Sequence, residues 1–265
     1  MASQTLARPV RYCIFLPSSY DQEKSRRYPV LYFLHGLGDN EQSLIDVGGW
    51  NLVEFLREKG RIGDFIIAAP DGGRSFYVNS KDGRVRYEDF FIREFIPLVD
   101  RGYRTRALRA SRGISGISMG GYGALHYAFA YPQLFGSVSS HMGALMETLP
   151  RVAVRGGARG GLGTFNLLGT VFGSPPDQAY FDRLNPLTLA RTAAGLSRVS
   201  IYFDCGNEDQ YGFYRGAKRL HETLDGRRIQ HEYHIDPGGH DGEFVTSHFP
   251  ASLEFHSRAF GFARK

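Results

Sequence analysis

The sequence predicts an α/β fold, a mostly parallel central sheet with helices on both faces. Three observations predict it. Short apolar runs with few polar residues alternate with amphipathic segments of helical length. Runs of that kind read as strands covered on both sides. Glycine-rich loops follow several of the runs, as expected where strands hand over to helices along one rim of such a sheet.

Taken in order, "RYCIFLPSSY" from Arg11 is a strand running into a turn, and "YPVLYFLHG" from Tyr28 is a second, almost continuously apolar one. "WNLVEFLREKG" from Trp50 has the spacing of an amphipathic helix. "DFIIAAPDGG" from Asp64 repeats the strand pattern, and "YEDFFIREFIPLVDRGY" from Tyr87 reads as a helix. "RGISGISMGG" from Arg112 is a strand feeding the helix "GGYGALHYAFAYP". "FGSVSSHMG", "RVSIYFDCGNED" and "IQHEYHIDPGGHDGEF" supply three more strands, with the helix "FYRGAKRLHETLDGR" between the last two. Residues 143–181 break the rhythm with dense glycine and proline, and read as a cap or flap inserted into a single domain spanning 1–265. Ligands of open parallel sheets bind beyond the carboxyl ends of the strands, so the loops after the apolar runs are where chemistry is expected.

Composition narrows the function classes. Apolar residues make up 42% of the chain, which excludes a disordered polar segment. No apolar run is long enough to span a membrane. The start "MASQTLARPVRY" lacks the apolar centre of a signal peptide, which favours the cytoplasm over secretion. Cys13 and Cys205 are too few for a disulfide framework and have no metal-ligand spacing. Net charge is +5, and the run "RGYRTRALRASR" lacks the recognition helix or stacking aromatics of a nucleic-acid site. The expected partner is a small molecule, with self-association left open.

"GISMG", residues 116–120, has the G-x-S-x-G form of a nucleophile elbow, placed between a strand and a helix. Glycines two positions either side of Ser118 relieve the crowding of a tight strand-to-helix bend. A serine hydroxyl needs a base, and nine histidines compete. His126, His221, His231 and His234 fall within helices or strands, His35 braces its own loop, and His248 and His141 are weaker candidates. His240, in the glycine-rich "DPGGHDGEF", can reach back over Ser118. The imidazole in turn needs a carboxylate. Of Asp204, Glu208 and Asp209 in "YFDCGNEDQY", Asp204 still belongs to the strand and Glu208 faces solvent, which leaves Asp209. The oxyanion donors expected for acyl transfer are the backbone N–H groups of Met119 and Leu37. His141, ending a strand near the same rim, is expected to line the pocket. No metal or organic cofactor is required by this chemistry.

With these residues in place, the chain resembles the esterase family of α/β-hydrolases that includes esterase D (S-formylglutathione hydrolase), tributyrin and feruloyl esterases and mycolyltransferases. The resemblance covers nearly the whole chain through "YPVLYFLHGLGDN", "PDGGRSFYVNS", "GISGISMGGYGALHYAFAYPQLFGSVSSHMG", "DCGNEDQY" and "PGGHDGEF". It implies an α/β-hydrolase fold, a Ser118–Asp209–His240 triad, and Phe76, Tyr77 and Asn79 as substrate contacts. Gly242, where relatives often carry an aromatic, and the glycine-rich stretch around 155–163 depart from that pattern. The expected activity is a serine carboxylesterase on short-chain or small aromatic acyl esters. Acyl transfer to a sugar or lipid alcohol and hydrolysis of S-formylglutathione are the alternatives, and a binding protein without activity is disfavoured.

Overall fold

The computed structural model describes residues 1–149 and 168–262. Its centre is a seven-stranded sheet made of β3 (Tyr12–Phe15), β4 (Val30–Leu34), β5 (Ile66–Pro70), β6 (Arg112–Ile117), β7 (Ser137–His141), β8 (Ser200–Gly206) and β9 (Glu232–Asp236), after a two-stranded N-terminal hairpin of β1 (Ala2–Ser3) and β2 (Arg8–Pro9). The spatial order is β3-β5-β4-β6-β7-β8-β9, parallel throughout except for β3, which runs antiparallel to β5. All seven strands expected from the apolar runs are present. The N-terminal hairpin was not expected.

Strand parity divides the core into two layers. On β4, Leu31 and Phe33 point to one face, while Val30, Tyr32 and Leu34 point to the other. The first face is covered by α1 (Ser43–Asp46), α2 (Gly49–Glu58) and the C-terminal helix α9 (Gly242–Ala259), through Leu44, Val53, Leu56, Phe249 and Leu253. The second face packs against α3 (Tyr87–Phe90), a π-helical turn (Phe91–Phe95), α4 (Ile96–Gly102), α5 (Met119–Ala130), α6 (Gln178–Leu184), α7 (Pro186–Thr192) and α8 (Phe213–Gly226). The expected helix from Tyr87 is therefore one continuous element with a widened turn in its middle. Pro97, just inside α4, has no amide to give to the ladder, and the turn before it is the one that widens.

The described ends of the excursion between β7 and β8 pack into the core. Ala144, Leu145 and Leu149 at its start, and Leu168, Val171, Phe172 and Phe181 at its far end, are buried and join the main core. Residues 150–167, which include the glycine-rich 155–163, lie outside the described residues. Two short helices not read from the sequence follow: α6, which begins inside 143–181, and α7, which lies beyond it. Asp177 caps the first by accepting from the Tyr180 N–H, and Asn185 caps the second by accepting from the Leu187 N–H.

A buried polar ladder ties α9 to the sheet. His256 is fully buried, with Ser137 Oγ 2.8 Å from Nδ1 and Ser139 Oγ 2.9 Å from Nε2. The Ser139 hydroxyl donates to Ser115 Oγ at 2.7 Å, so Ser139 Oγ accepts from the Nε2–H of a neutral ring. These serines lie on β6 and β7, the strands that deliver the residues described next.

Candidate active site

β6 sits near the middle of the sheet and ends at Ile117, so the next residue emerges at the carboxyl rim. That residue, Ser118, has φ 55° and ψ −113°, a conformation side chains rarely adopt. Three backbone bonds hold it there: its N–H donates to the His141 carbonyl at 2.8 Å, and its carbonyl accepts from the Tyr122 and Ala144 N–H groups, each at 3.0 Å. The flanking glycines are steric necessities. A Cβ on Gly116 would lie 2.2 Å from the Gly120 carbonyl oxygen, and one on Gly120 would lie 2.0 Å from the Leu34 carbonyl oxygen. Both obstacles are backbone, which cannot swing aside.

Three loops converge on this serine. The loop after β8 carries Asp209, and the loop after β9 carries His240. Ser118 Oγ donates to His240 Nε2 at 2.9 Å, and His240 Nδ1–H donates to Asp209 Oδ2 at 2.7 Å. An acceptor-only carboxylate on Nδ1 fixes the proton there, which leaves Nε2 free to take one. Asp209 is itself buried and held: Oδ1 accepts from the Tyr211 N–H at 2.8 Å, and Oδ2 also accepts from the Cys205 thiol at 3.5 Å. Burial alone would raise its pKa. The hydrogen bond and charge of His240, with the Tyr211 amide and the Cys205 thiol, outweigh burial and leave the carboxyl below its ordinary range. Burial first, and then Asp209 itself, push the Cys205 thiol upward, so it stays a neutral donor to the carboxylate. Glu208 is exposed, and Asp204 remains inside β8.

Met119 opens α5, so its N–H belongs to the first-turn amides that have no acceptor within the helix. Leu37 lies in the loop after β4, where His35 works as a strut. Its Nδ1–H donates to the Gly36 carbonyl at 2.7 Å, and its Nε2 accepts from the Gly72 N–H at 2.8 Å. The Gly36 carbonyl and the Leu37 N–H share one planar trans peptide, so fixing the carbonyl aims the amide the opposite way. Asp71 Oδ1, 3.7 Å from His35 Nε2, accepts from the Gly73 N–H at 2.9 Å.

The four expected substrate contacts are placed as follows. His141 is fully buried; Nδ1–H donates to Asp204 Oδ2 at 2.8 Å and Nε2 is 2.9 Å from Ser252 Oγ, so its ring braces α9 and only its carbonyl serves Ser118. Tyr77 is fully buried, and its hydroxyl donates to the His35 carbonyl at 3.0 Å, supporting the Gly36–Leu37 loop from below. Phe76 is buried edge-on against Tyr122 and Phe172. The Asn79 side-chain amide is tied to Asp89, donating to Oδ2 and accepting from its N–H, each at 3.2 Å. All four side chains are thus engaged by neighbouring protein groups. The open positions lie elsewhere: a Cβ on Gly242 would meet nothing within 4 Å, and Tyr211 and Leu37 are exposed. Tyr211 and Phe213, which flank the His240 ring, were passed over in the sequence, and Cys205 was read there only as outside any disulfide or metal site, although all three sit within a few residues of Asp209.

Residues 3–256 match the family described as "Putative esterase". The chain belongs to this esterase family. The chain is 34% identical over 243 residues to an esterase of Mycobacterium tuberculosis, an alignment covering 86% of this chain and 51% of the relative. It therefore spans about half the length of that curated relative. It is 26% identical to an acetyl esterase of Caldicellulosiruptor saccharolyticus over 236 residues, covering 88% of this chain and 85% of the relative. Among solved structures it superposes on a ferulic acid esterase with a TM-score of 0.84 and 25% identity, covering 98% of this chain and 96% of the other. The chain thus has the α/β-hydrolase fold of these neighbours.

Proposed function

We propose that this esterase is a serine carboxylesterase acting on short-chain or small aromatic acyl esters. One observation carries the reading: the unbroken relay from Ser118 Oγ through His240 to a buried, multiply hydrogen-bonded Asp209, with links of 2.9 and 2.7 Å. Ser118 Oγ attacks the ester carbonyl carbon while its proton passes to His240 Nε2. Asp209 stays ionised and stabilises the imidazolium that forms. The negative charge on the former carbonyl oxygen is met by the N–H groups of Met119 and Leu37, each such donor contributing about 3–4 kcal/mol of transition-state stabilisation. Collapse of the tetrahedral species breaks the bond to the alkoxy oxygen, which takes the proton from Nε2. Water, deprotonated by the same imidazole, then hydrolyses the acyl-Ser118 ester.

The similarity to acetyl and ferulic acid esterases supports small acyl groups, and the absence of any metal requirement follows from the chemistry of the relay. The test is covalent labelling by a fluorophosphonate together with turnover of p-nitrophenyl esters of increasing acyl length and of feruloyl esters. The unmodified protein is expected to label and to favour the shortest or the small aromatic acyl groups, and Ser118→Ala to lose both labelling and turnover. Labelling that survives Ser118→Ala, or a preference for long acyl chains, would overturn the reading.

A further inference from the structure

We propose that Tyr211, backed by Phe213, is the surface on which the alcohol portion of the ester rests, and that it selects alcohols with a flat apolar face over small alkyl ones. The inference rests on the acyl-Ser118 mechanism above and adds a specificity-determining residue to it. Tyr211 is 61% exposed, whereas tyrosines 28, 32, 77, 87, 122, 127 and 202 are nearly or wholly buried. It nevertheless stands on a fixed base. Its N–H is held by Asp209 Oδ1 at 2.8 Å, and the neighbouring Gln210 Oε1 accepts from the His240 N–H at 3.1 Å. The Tyr211 ring meets the His240 ring edge-on with centroids 4.9 Å apart, and Phe213 meets the same imidazole at 5.5 Å. The two aromatic rings stack on each other, 5.5 Å apart and 20° from parallel. The result is an apolar step, open to water on its outer side, against the residue that carries the proton.

Proton bookkeeping decides which half of the substrate meets this step. In acylation the Ser118 Oγ–carbon bond forms and the hydroxyl proton moves to Nε2; then the carbon–alkoxy bond breaks and the same proton moves to the departing oxygen. That oxygen must come within about 3 Å of Nε2 to receive it. The first atoms of the alcohol therefore lie against the imidazole, and the side-chain surface flanking it is Tyr211 and Phe213. A planar alcohol gains a ring-on-ring contact there that ethanol or methanol cannot make. The acyl group, bound to Ser118, has no such constraint toward His240.

The experiment compares 1-naphthyl acetate with ethyl acetate, which give the same acetyl-enzyme. Tyr211→Ala is expected to lower the naphthyl-to-ethyl ratio of kcat/KM about tenfold, the worth of one aromatic contact, and Tyr211→Phe to keep it. Tyr211→Ala is also expected to divert less acetyl-enzyme to added 2-naphthol relative to water. Equal losses on both esters, or a loss of acetyl-enzyme hydrolysis as large as the loss of acylation, would mean that the ring merely supports His240 and would overturn the proposal. If the unmodified protein forms no acetyl adduct on Ser118, the functional reading itself has failed, an outcome recognisable before any Tyr211 variant is made.

Discussion

Acid is expected to loosen this fold through a histidine that takes no part in the reaction. His256 is fully buried between α9 and the β6–β7 pair, and burial, assisted by His141, pushes its pKa from 6.5 down to about 3. In the unfolded chain the same ring protonates near its ordinary value. Between those two values the unfolded state binds a proton that the folded state refuses, so lowering the pH favours unfolding. The stabilisation is complete above the ordinary value and is lost progressively as pH falls toward the depressed one. Each pH unit in that window is worth about 1.4 kcal/mol, so moving to about pH 5 costs about 2 kcal/mol. In a chain of this size that lowers the melting temperature by about 4–8 °C. Thermal unfolding at about pH 7.5 and about pH 5 should therefore show a larger fall for the unmodified protein than for His256→Gln, which keeps hydrogen-bonding capacity toward Ser137 and Ser139 but does not titrate. Depressed carboxyls such as Glu88 and Asp209 are present in both proteins, so their acid losses cancel in the comparison. Identical falls in the two proteins would refute the argument.

Asp209→Asn is expected to lower kcat by about four orders of magnitude in steady-state assays, because the amide cannot hold the Nδ1–H tautomer. His35→Ala removes the strut on the Gly36 carbonyl; kcat should fall about a hundredfold with little change in KM, the pattern of a misaimed oxyanion donor. Gly120→Ala forces a Cβ to within 2.0 Å of the Leu34 oxygen. It should destabilise the protein by about 3 kcal/mol or more, read as a collapse of the melting temperature or loss of soluble protein.

Much of this was legible in the sequence, for physical reasons. The strands announced themselves because β4 and β5 are buried along their whole length and so contain almost nothing polar. Ser118, Asp209 and His240 could be picked out because each follows a strand and two of them lie among glycines. The C-terminal helix was missed: it begins at Gly242, contains Pro250 and buries Ser252, Glu254 and His256, so its inner face does not read as apolar. The orientations of His141 and Tyr77 were hidden for a different reason. Along a strand, successive side chains alternate faces, and parity turns the His141 ring toward α9 while Ser140 faces Gly121 on α5. Position near the rim was readable, but the direction of the ring was not. Tyr77 is consumed by a carbonyl 42 residues earlier in the chain, a pairing that no local pattern encodes.

The left-handed backbone at Ser118 also bounds the histories open to this protein. At φ 55° a branched β-carbon collides with its own main chain, so threonine is barred from the position although it offers the same hydroxyl. Cysteine carries no such branch. Descendants of this lineage could exchange oxygen for sulfur at the attacking atom in one substitution, yet an added methyl group would first require rebuilding the bend.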